Sequence, residues 1–263
     1  MKIVVCAKFV PDATADRRFR SEDNTVDRAG VDGLLSELDE YAVETALTVK
    51  EAGDPGDTGV TVLTVGPEQA ADAVKKGLQM GADAGVHVLD DAIHGSDAVA
   101  TSLILSKALG KLEADLVVFG MGSTDGGMGV VPAMVSERLG LPAVTLGSEV
   151  TVDGQTVRIR RDGDTASETI EGTLPLVLSV SDQANEPRYP SFKGIMAAKK
   201  KPVETWSLAD LELSGEQVGQ AGAWTEVTEV TARPARTAGT IVADEDGSGA
   251  AQLVEFLSTN KFL

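Results

Sequence analysis

The sequence predicts an α/β protein with a doubly wound parallel sheet. Short apolar runs rich in Val and Ile alternate with longer segments of helical spacing through residues 2–139. The apolar runs are continuous rather than alternating, as expected for strands that are buried on both faces. Strand–helix alternation at this spacing is typical of a parallel sheet covered by helices on both faces.

The elements of this sheet follow one another along the chain. The predicted strands are residues 2–7, 60–65, 85–89, 116–119 and 176–180, and the predicted helices are residues 40–50, 68–80, 97–109 and 130–139. Asp39 is a candidate N-cap of the first helix, and a glycine directly follows each of the other three. With a strand order of 3-2-1-4-5, the first and fourth strands would flank the point where ligands bind in such sheets.

The pattern changes after Pro142. Residues 148–152, 155–161 and 166–171 have the character of short antiparallel strands joined by Asp-Gly turns. From residue 203 onward the chain is acidic and rich in glycine, with a last helix predicted at residues 250–258. We therefore expect a main domain over residues 1–202 and a C-terminal arm over residues 203–263 that packs on another protein.

Composition and charge exclude several classes of protein. The chain has 263 residues, 42% of them hydrophobic, and its 23 basic and 41 acidic side chains give a net charge of −18. The apolar fraction is too high for global disorder, one cysteine cannot form an internal disulfide, and the charge repels nucleic acid. No apolar run is long enough for membrane insertion, and the N-terminus reads as a first strand, so a cytoplasmic protein is expected.

A glycine-rich loop follows the fourth strand. Five of the ten residues at 120–129 are glycine, and Pro132 lies in the first turn of the next helix. Such a bend exposes backbone N–H groups to an anion, and Ser123 and Thr124 add hydroxyl donors. Asp125 occupies the third glycine position of a dinucleotide fingerprint, and a P-loop is absent. The loop is predicted to be a phosphate cradle, with a flexible surface loop as the alternative.

Other candidates for chemistry are weak. Cys6 lies in the first strand and is expected to be a small buried hydrophobe. His87 and His94 have no Cys or carboxylate cluster at the spacing of metal ligands, so no metal site is expected. No catalytic triad can be nominated.

One segment opposes the acidic character of the chain. Residues 187–202 contain five basic side chains and no acid, and they carry four large apolar side chains among prolines. An apolar anchor with lysines that steer an acidic partner suggests a docking surface, while the alternative is a solvated basic helix. The predicted docking residues are Arg188, Tyr189, Phe192, Lys193, Ile195, Met196, Lys199, Lys200 and Lys201.

This segment, read from Asn185 to Lys201, resembles the signature region of the electron transfer flavoprotein β subunit. The resemblance spans nearly the whole chain. Further motifs that fit are Val4-Val-Cys-Ala-Lys8, Glu40-Tyr-Ala-Val-Glu-Thr-Ala46, Met80-Gly-Ala-Asp83, Ser123-Thr-Asp-Gly126 and Arg236-Thr-Ala-Gly239.

The resemblance implies an adenine-nucleotide α-hydrolase-like fold and an electron carrier without substrate turnover of its own. It implies pairing with an α subunit that holds most of one FAD, and a structural AMP in the β subunit. Electrons would come from the acyl-CoA dehydrogenases of fatty acid β-oxidation and related enzymes, and would pass to a membrane quinone oxidoreductase. The segment at about residues 184–202, named here the docking segment, would be the recognition loop, with Phe192 at the anchor position.

Carried over to this sequence, the resemblance places AMP at the exits of three strands and before the first helix. The implied cofactor-binding residues are Cys6, Ser36, Glu37, Leu38, Asp39, Val65, Gly120, Met121, Gly122, Ser123, Thr124, Asp125, Gly126, Gly127, Met128, Gly129, Val130 and Val131. Many relatives have Thr, Gln or Asn side chains where this sequence has Met128, Gly129, Val130 and Val131, so backbone N–H groups would bind the phosphate here.

Two other classes of function are compatible with the same fold. A nucleotide-hydrolysing or adenylating enzyme would need a catalytic base or metal carboxylates near the cradle, and Asp125 alone is a poor candidate. A nucleotide-sensing module is usually about half this length and would not need the C-terminal arm. A bifurcating type of electron transfer flavoprotein, with a second FAD in place of AMP, also stays open.

Overall fold

The computed structural model describes residues 1–53, 56–235, 239–244 and 246–263. The strands are β1 (Lys2–Cys6), β2 (Phe9–Pro11), β3 (Gly33–Leu35), β4 (Gly59–Val65), β5 (Ala84–Val88), β6 (Leu116–Gly120), β7 (Ala143–Gly147), β8 (Glu149–Asp153), β9 (Thr156–Asp162), β10 (Ser167–Thr173), β11 (Leu176–Val180) and β12 (Val203–Trp206). The helices are α1 (Glu37–Ala52), α2 (Ala71–Met80), α3 (Ala98–Leu112), α4 (Val131–Leu139), α5 (Phe192–Ala198), α6 (Gly219–Gly222) and α7 (Gly249–Thr259).

A parallel sheet of seven strands has the order β12-β5-β4-β1-β6-β11-β7. The predicted doubly wound α/β class is confirmed, and the predicted strand order 3-2-1-4-5 forms its centre. Helices α1 and α2 bury one face of this sheet and helices α3 and α4 bury the other. The alternation of buried side chains explains both layers, since Val5 and Val62 pack under α1 and α2 whereas Val4 and Leu63 pack under α3 and α4.

The sheet is wider than predicted at both edges. Strand β7 pairs in parallel with β11, although the sequence pattern indicated a change of architecture after Pro142. Strand β12 pairs in parallel with β5, so residues 203–206 belong to the sheet rather than to an arm. Both edge strands are partly exposed, with only Trp206 buried in β12 and only Val144 and Gly147 buried in β7, so they lacked the continuous apolar signal of the central strands.

The chain divides into a unit over residues 1–228 and a unit over residues 229–263. The boundary lies beyond the predicted position at residue 202 because β12 and the segment after it complete the first unit. The second unit contains α7, whose Leu253, Val254 and Phe256 are exposed. Residues 236–238 of the last quoted motif lie outside the described residues.

The predicted antiparallel strands form a separate sheet in the order β10-β9-β8. Gly154 has a positive φ of 57° in the tight turn between β8 and β9, as the Asp-Gly signal predicted. The long segment before α1, residues 8–36, contains the antiparallel pair of β2 and β3. None of the described helices combines the length and the apolar character required to cross a membrane.

Candidate functional site

The predicted nucleotide residues meet at the carboxyl edge of the central sheet. Strands β1 and β6 are neighbours and both end there, followed by Lys8 and by the glycine-rich loop (residues 120–131). The backbone N–H of Ser36, just before α1, donates to the backbone carbonyl of Lys8 at 2.8 Å. The start of α1, the exit of β1 and the exit of β6 therefore form one continuous edge at the switch point of the fold.

Asp39 connects these three elements from inside α1. Helix α1 begins at Glu37, three residues earlier than an Asp39 N-cap allows, and the carboxylate is buried. The backbone N–H of Lys8 donates to Asp39 Oδ2 at 2.8 Å. Burial raises the pKa of Asp39 to about 7, against the lowering effect of hydrogen bonds from the backbone N–H groups of Lys8 and Gly120. Asp39 is therefore not the N-cap of α1. Its buried carboxylate instead links the first turn of α1 to the residue Lys8 after β1 and to Gly120 at the end of β6.

Gly120 permits the closest approach at this edge. A Cβ atom at Gly120 would lie 2.5 Å from the carbonyl oxygen of Leu38 and 2.7 Å from Asp39 Oδ1. No side chain fits in that space, so the last residue of β6 must be glycine for α1 to start where it does. Close packing against α1, rather than a need for a flexible loop, explains the glycine at position 120.

Asp125 fixes the middle of the glycine-rich loop. Its side chain is nearly buried, and it accepts hydrogen bonds from Lys8 Nζ at 2.9 Å and from Arg28 Nη2. Burial raises the pKa of Asp125, but Lys8 and Arg28 together outweigh it and hold the pKa well below its ordinary value. The carboxylate stays charged and paired, so it has a structural role and is a poor catalytic base.

Three cations from the long segment before α1 lie against this loop, and sequence reasoning missed them. Besides Lys8 and Arg28, Arg17 donates from Nη2 to the carbonyl oxygen of Thr124. Lys8 Nζ also lies 3.4 Å from Ser123 Oγ. The signal in the sequence was the clustering of arginines in an otherwise acidic chain, but their partners are about a hundred residues away. The cations add positive potential to a loop without polar side chains at its end.

The edge fits a nucleotide in its chemistry. The hydroxyls of Ser36 and Thr64 are fully buried and lack a hydrogen-bond partner within the described part of the chain. Buried hydroxyls are rarely left unpaired. Ser36 was itself predicted to contact AMP, and Thr64 directly precedes Val65, which was also predicted to do so. Gly127 and Gly129 have positive φ values of 64° and 65°, which turn the loop toward the first residues of α4.

The remaining candidates have structural explanations. Cys6 is buried in the core beneath α3 and α4, and burial, followed by the charge of Asp39, raises the pKa of its thiol. The ring of His87 is buried and its Nε2 lies 3.0 Å from the carbonyl oxygen of Gly66, at the exit of β4. His94 Nε2 lies 2.6 Å from Asp23 Oδ2. Among the described residues, no group of three potential metal ligands occurs.

The docking segment (residues 184–202) presents apolar side chains to solvent. The Tyr189 side chain is 92% exposed and Phe192 is 80% exposed, and Met196 is also exposed, whereas Ile195 is half-buried. Helix α5 carries the last three, and Ser191 caps it, its Oγ accepting from the backbone N–H of Gly194 at 3.0 Å. Large exposed aromatic side chains on one short segment are typical of a protein contact.

The basic residues of this segment divide into two kinds. Lys193, Lys199 and Lys200 are exposed. Arg188 is paired with Glu44 and Glu51, and Lys201 Nζ donates to the carbonyl oxygen of Leu78 at 2.9 Å. The structure therefore places three of the five predicted cations where a partner can meet them, and uses the other two within the chain.

The fold and the glycine-rich edge place the chain among doubly wound α/β proteins whose ligand sites lie at the carboxyl end of the sheet. The protein-family model described as the electron transfer flavoprotein domain matches residues 23–211 of this chain. Over 264 residues the chain is 47% identical to the electron transfer flavoprotein subunit beta of Mycobacterium tuberculosis, with 99% of each chain covered. The chain belongs to the electron transfer flavoprotein family, among its β subunits.

Two more distant relatives widen this comparison. The electron transfer flavoprotein subunit beta of Megasphaera elsdenii is 32% identical over 273 residues, with all of both chains covered. Subunit CarD of the caffeyl-CoA reductase–Etf complex of Acetobacterium woodii is 35% identical over 243 residues, with 92% of each chain covered. The resemblance found in the sequence is thus confirmed over the full chain.

Proposed function

We propose that this chain is the β subunit of a heterodimeric electron transfer flavoprotein, an electron carrier rather than an enzyme with substrate turnover of its own. Its partner is an α subunit that holds most of the FAD. Electrons come from acyl-CoA and related dehydrogenases and leave to a membrane quinone oxidoreductase. The flavin supplies the electron chemistry when bound, and the protein supplies position and environment.

The observation that carries this proposal is the exposed docking segment, on a chain that aligns with electron transfer flavoprotein β subunits over 99% of its residues. Tyr189 and Phe192 are almost fully exposed at the centre of the segment, and three exposed lysines follow them. A mobile carrier needs fast and reversible contacts, and a small apolar anchor with long-range charge suits that need. The exposed apolar side chains of α7 support the prediction that the C-terminal arm packs on the α subunit.

A structural AMP at the carboxyl edge of the sheet is the second part of the proposal. Its support comes from the hydroxyls of Ser36 and Thr64, which have no hydrogen-bond partner among the described residues, from the backbone of the glycine-rich loop and from the cations Lys8 and Arg17. The name of CarD shows that one relative works in a complex with a reductase. A second FAD in place of AMP is the alternative to test. The cytoplasmic location stays a prediction.

Purification with the α subunit tests the nucleotide content. We expect a heterodimer that releases FAD and AMP in equal amounts on acid extraction, measured by chromatography against standards. Two FAD per heterodimer would indicate the bifurcating type. Release of AMP or ADP from added ATP by the chain alone, or failure to bind any α subunit, would contradict the proposal.

The variant Phe192→Ala tests the docking function. We expect it to slow reduction of the flavin by an acyl-CoA dehydrogenase about tenfold or more, because the anchor of an interface contributes on the order of 2 kcal/mol. Heterodimer formation and flavin content should not change, since Phe192 is exposed. Unchanged reduction would remove the docking segment from the proposal.

A further inference from the structure

Arg188 lies at the start of the docking segment, but its side chain faces helix α1. Its Nε and Nη2 donate to the two carboxylate oxygens of Glu44, each at 2.8 Å. Its Nη1 and Nη2 donate to those of Glu51 at 2.6 and 3.0 Å. The backbone N–H of Arg188 also donates to Glu44 Oε2 at 3.1 Å. Hydrogen bonds to Glu51, and then to Glu44, raise the pKa of Arg188, so it stays charged.

Because of these ion pairs, Arg188 adds no net positive charge to the surface that a partner meets. One guanidinium faces two carboxylates, so the group of three carries a net negative charge. The Glu44 side chain is only 10% exposed, and its bidentate geometry fixes both the plane and the direction of the guanidinium. Arg188 is therefore suited to hold the chain rather than to attract an acidic partner.

Further contacts attach the docking segment to helices before Tyr189 and after Phe192. Before Arg188, Asn185 Nδ2 donates to the carbonyl oxygen of Tyr41 at 3.1 Å and to Thr45 Oγ1 at 2.9 Å. After Phe192, a Cβ atom on Gly194 would lie 2.5 Å from the carbonyl oxygen of Gln79, which shows how closely α5 packs on α2. Tyr189 and Phe192 lie between these two attachments.

We propose that Arg188 is a positioning residue of the docking surface. Its ion pairs with Glu44 and Glu51 fix the backbone from which Tyr189 projects and which leads to Phe192, so that the aromatic side chains are held in place before a partner arrives. Preorganisation reduces the ordering cost of association, which is the part of the binding free energy that Arg188 controls. This inference rests on the proposed docking function.

The test uses the complete heterodimer and an acyl-CoA dehydrogenase with saturating acyl-CoA. The variants are Arg188→Lys, which keeps the charge but loses the planar fork, and Arg188→Gln. The double variant Arg188→Gln with Glu44→Gln avoids leaving a buried carboxylate unpaired. The matched control is Arg158→Gln, which also breaks an Arg–Glu pair, with Glu171 on the antiparallel sheet, and changes the net charge equally.

We expect kcat/KM for flavin reduction to fall about three- to tenfold in all three Arg188 variants, as loss of preorganisation predicts. The value of kcat should not change, because the fully docked complex is the same. The dependence of kcat/KM on ionic strength should also persist, because the exposed lysines are intact. Arg158→Gln should match the wild type, and thermal melting of each variant verifies folding.

The outcomes separate this inference from the docking function itself. If Phe192→Ala slows reduction but the folded double variant does not, Arg188 has no positioning role and the inference is wrong. If Arg188→Lys equals the wild type while Arg188→Gln is slow with a weaker salt dependence, Arg188 acts through its charge and the inference is also wrong. If Phe192→Ala itself does not slow flavin reduction, the proposed docking function is wrong, and the inference about Arg188 that rests on it falls with it.

Discussion

The glycine-rich loop is fixed to the segment before α1 and the docking segment is fixed to α1 itself, by similar ion pairs, but the two regions expose different chemistry. In the loop, Asp125 is nearly buried between Lys8 and Arg28. In the docking segment, Arg188 is bonded to two glutamates of α1 while Tyr189 and Phe192 face solvent. An arginine–carboxylate contact thus positions a polar, glycine-rich backbone in one region and an apolar surface in the other. The comparison indicates that each region can be altered without the other.

The two closely packed glycines give the largest expected effects. A Cβ atom at Gly120 or at Gly194 would lie 2.5 Å from a backbone carbonyl oxygen, of Leu38 or of Gln79 respectively. We expect Gly120→Ala to lower the free energy of unfolding by about 1–3 kcal/mol, as overpacking does, and to cause loss of AMP. Gly194→Ala should keep AMP but slow flavin reduction by the dehydrogenase.

Chemical denaturation and nucleotide extraction of both heterodimers measure these effects. The control is Gly110→Ala within α3, where an added Cβ atom meets nothing within 4 Å and where alanine favours the helix. If Gly120→Ala and Gly194→Ala lose AMP equally, the two regions are coupled and the comparison is wrong.

The next effect is a dependence of stability on pH that arises from Asp39. It should affect the edge with the glycine-rich loop and leave the docking segment unchanged. Burial raises the pKa of Asp39 from 3.8 to about 7, so the folded chain holds a proton that the unfolded chain has released. The contribution of Asp39 to stability is therefore complete below about pH 4 and is lost as the pH rises to about 7.

Comparison with Asp39→Asn isolates this contribution. We expect the difference in free energy of unfolding, wild type minus variant, to decrease from about pH 4 to pH 7 with a slope of at most about 1.4 kcal/mol per pH unit. The charge of Asp125 is present in both proteins and cancels. Docking should not follow this change, because Arg188 keeps its charge throughout. A constant difference across this range would show that Asp39 is ionised at all these pH values.

The sequence predicted those parts of the fold whose signal is local. Buried strands such as β1 and β6 are continuous apolar runs, and the turn at Gly154 follows from two residues. Edge strands such as β12, in which only Trp206 is buried, lack this signal and were missed. Likewise, a local rule made Asp39 an N-cap, although its partners Lys8 and Gly120 are far away in the chain.

The candidate site shows the same limit. The glycine-rich loop was predicted from composition and from its place after β6. The pairing of Arg28 with Asp125, 97 residues apart, has no local signal. Arg188 was assigned to docking because it belongs to a basic run, whereas its partners on α1 are 144 and 137 residues away. Pattern thus indicates which segments matter, while the direction of each side chain depends on tertiary contacts.

The smallest expected effect belongs to the exposed lysines of the docking segment. Lys199 and Lys200 lie in solvent at the end of α5, so they act on a partner only through long-range charge. We expect the double variant Lys199→Gln with Lys200→Gln to lower kcat/KM for flavin reduction about two- to fivefold at low ionic strength, and to show a weaker salt dependence. At high salt it should equal the wild type, because screening removes the attraction in both proteins.

The control is Lys107→Gln with Arg158→Gln, which removes the same charge from α3 and the antiparallel sheet. Parallel salt dependences for the wild type and the lysine variant would assign docking to the apolar anchor alone.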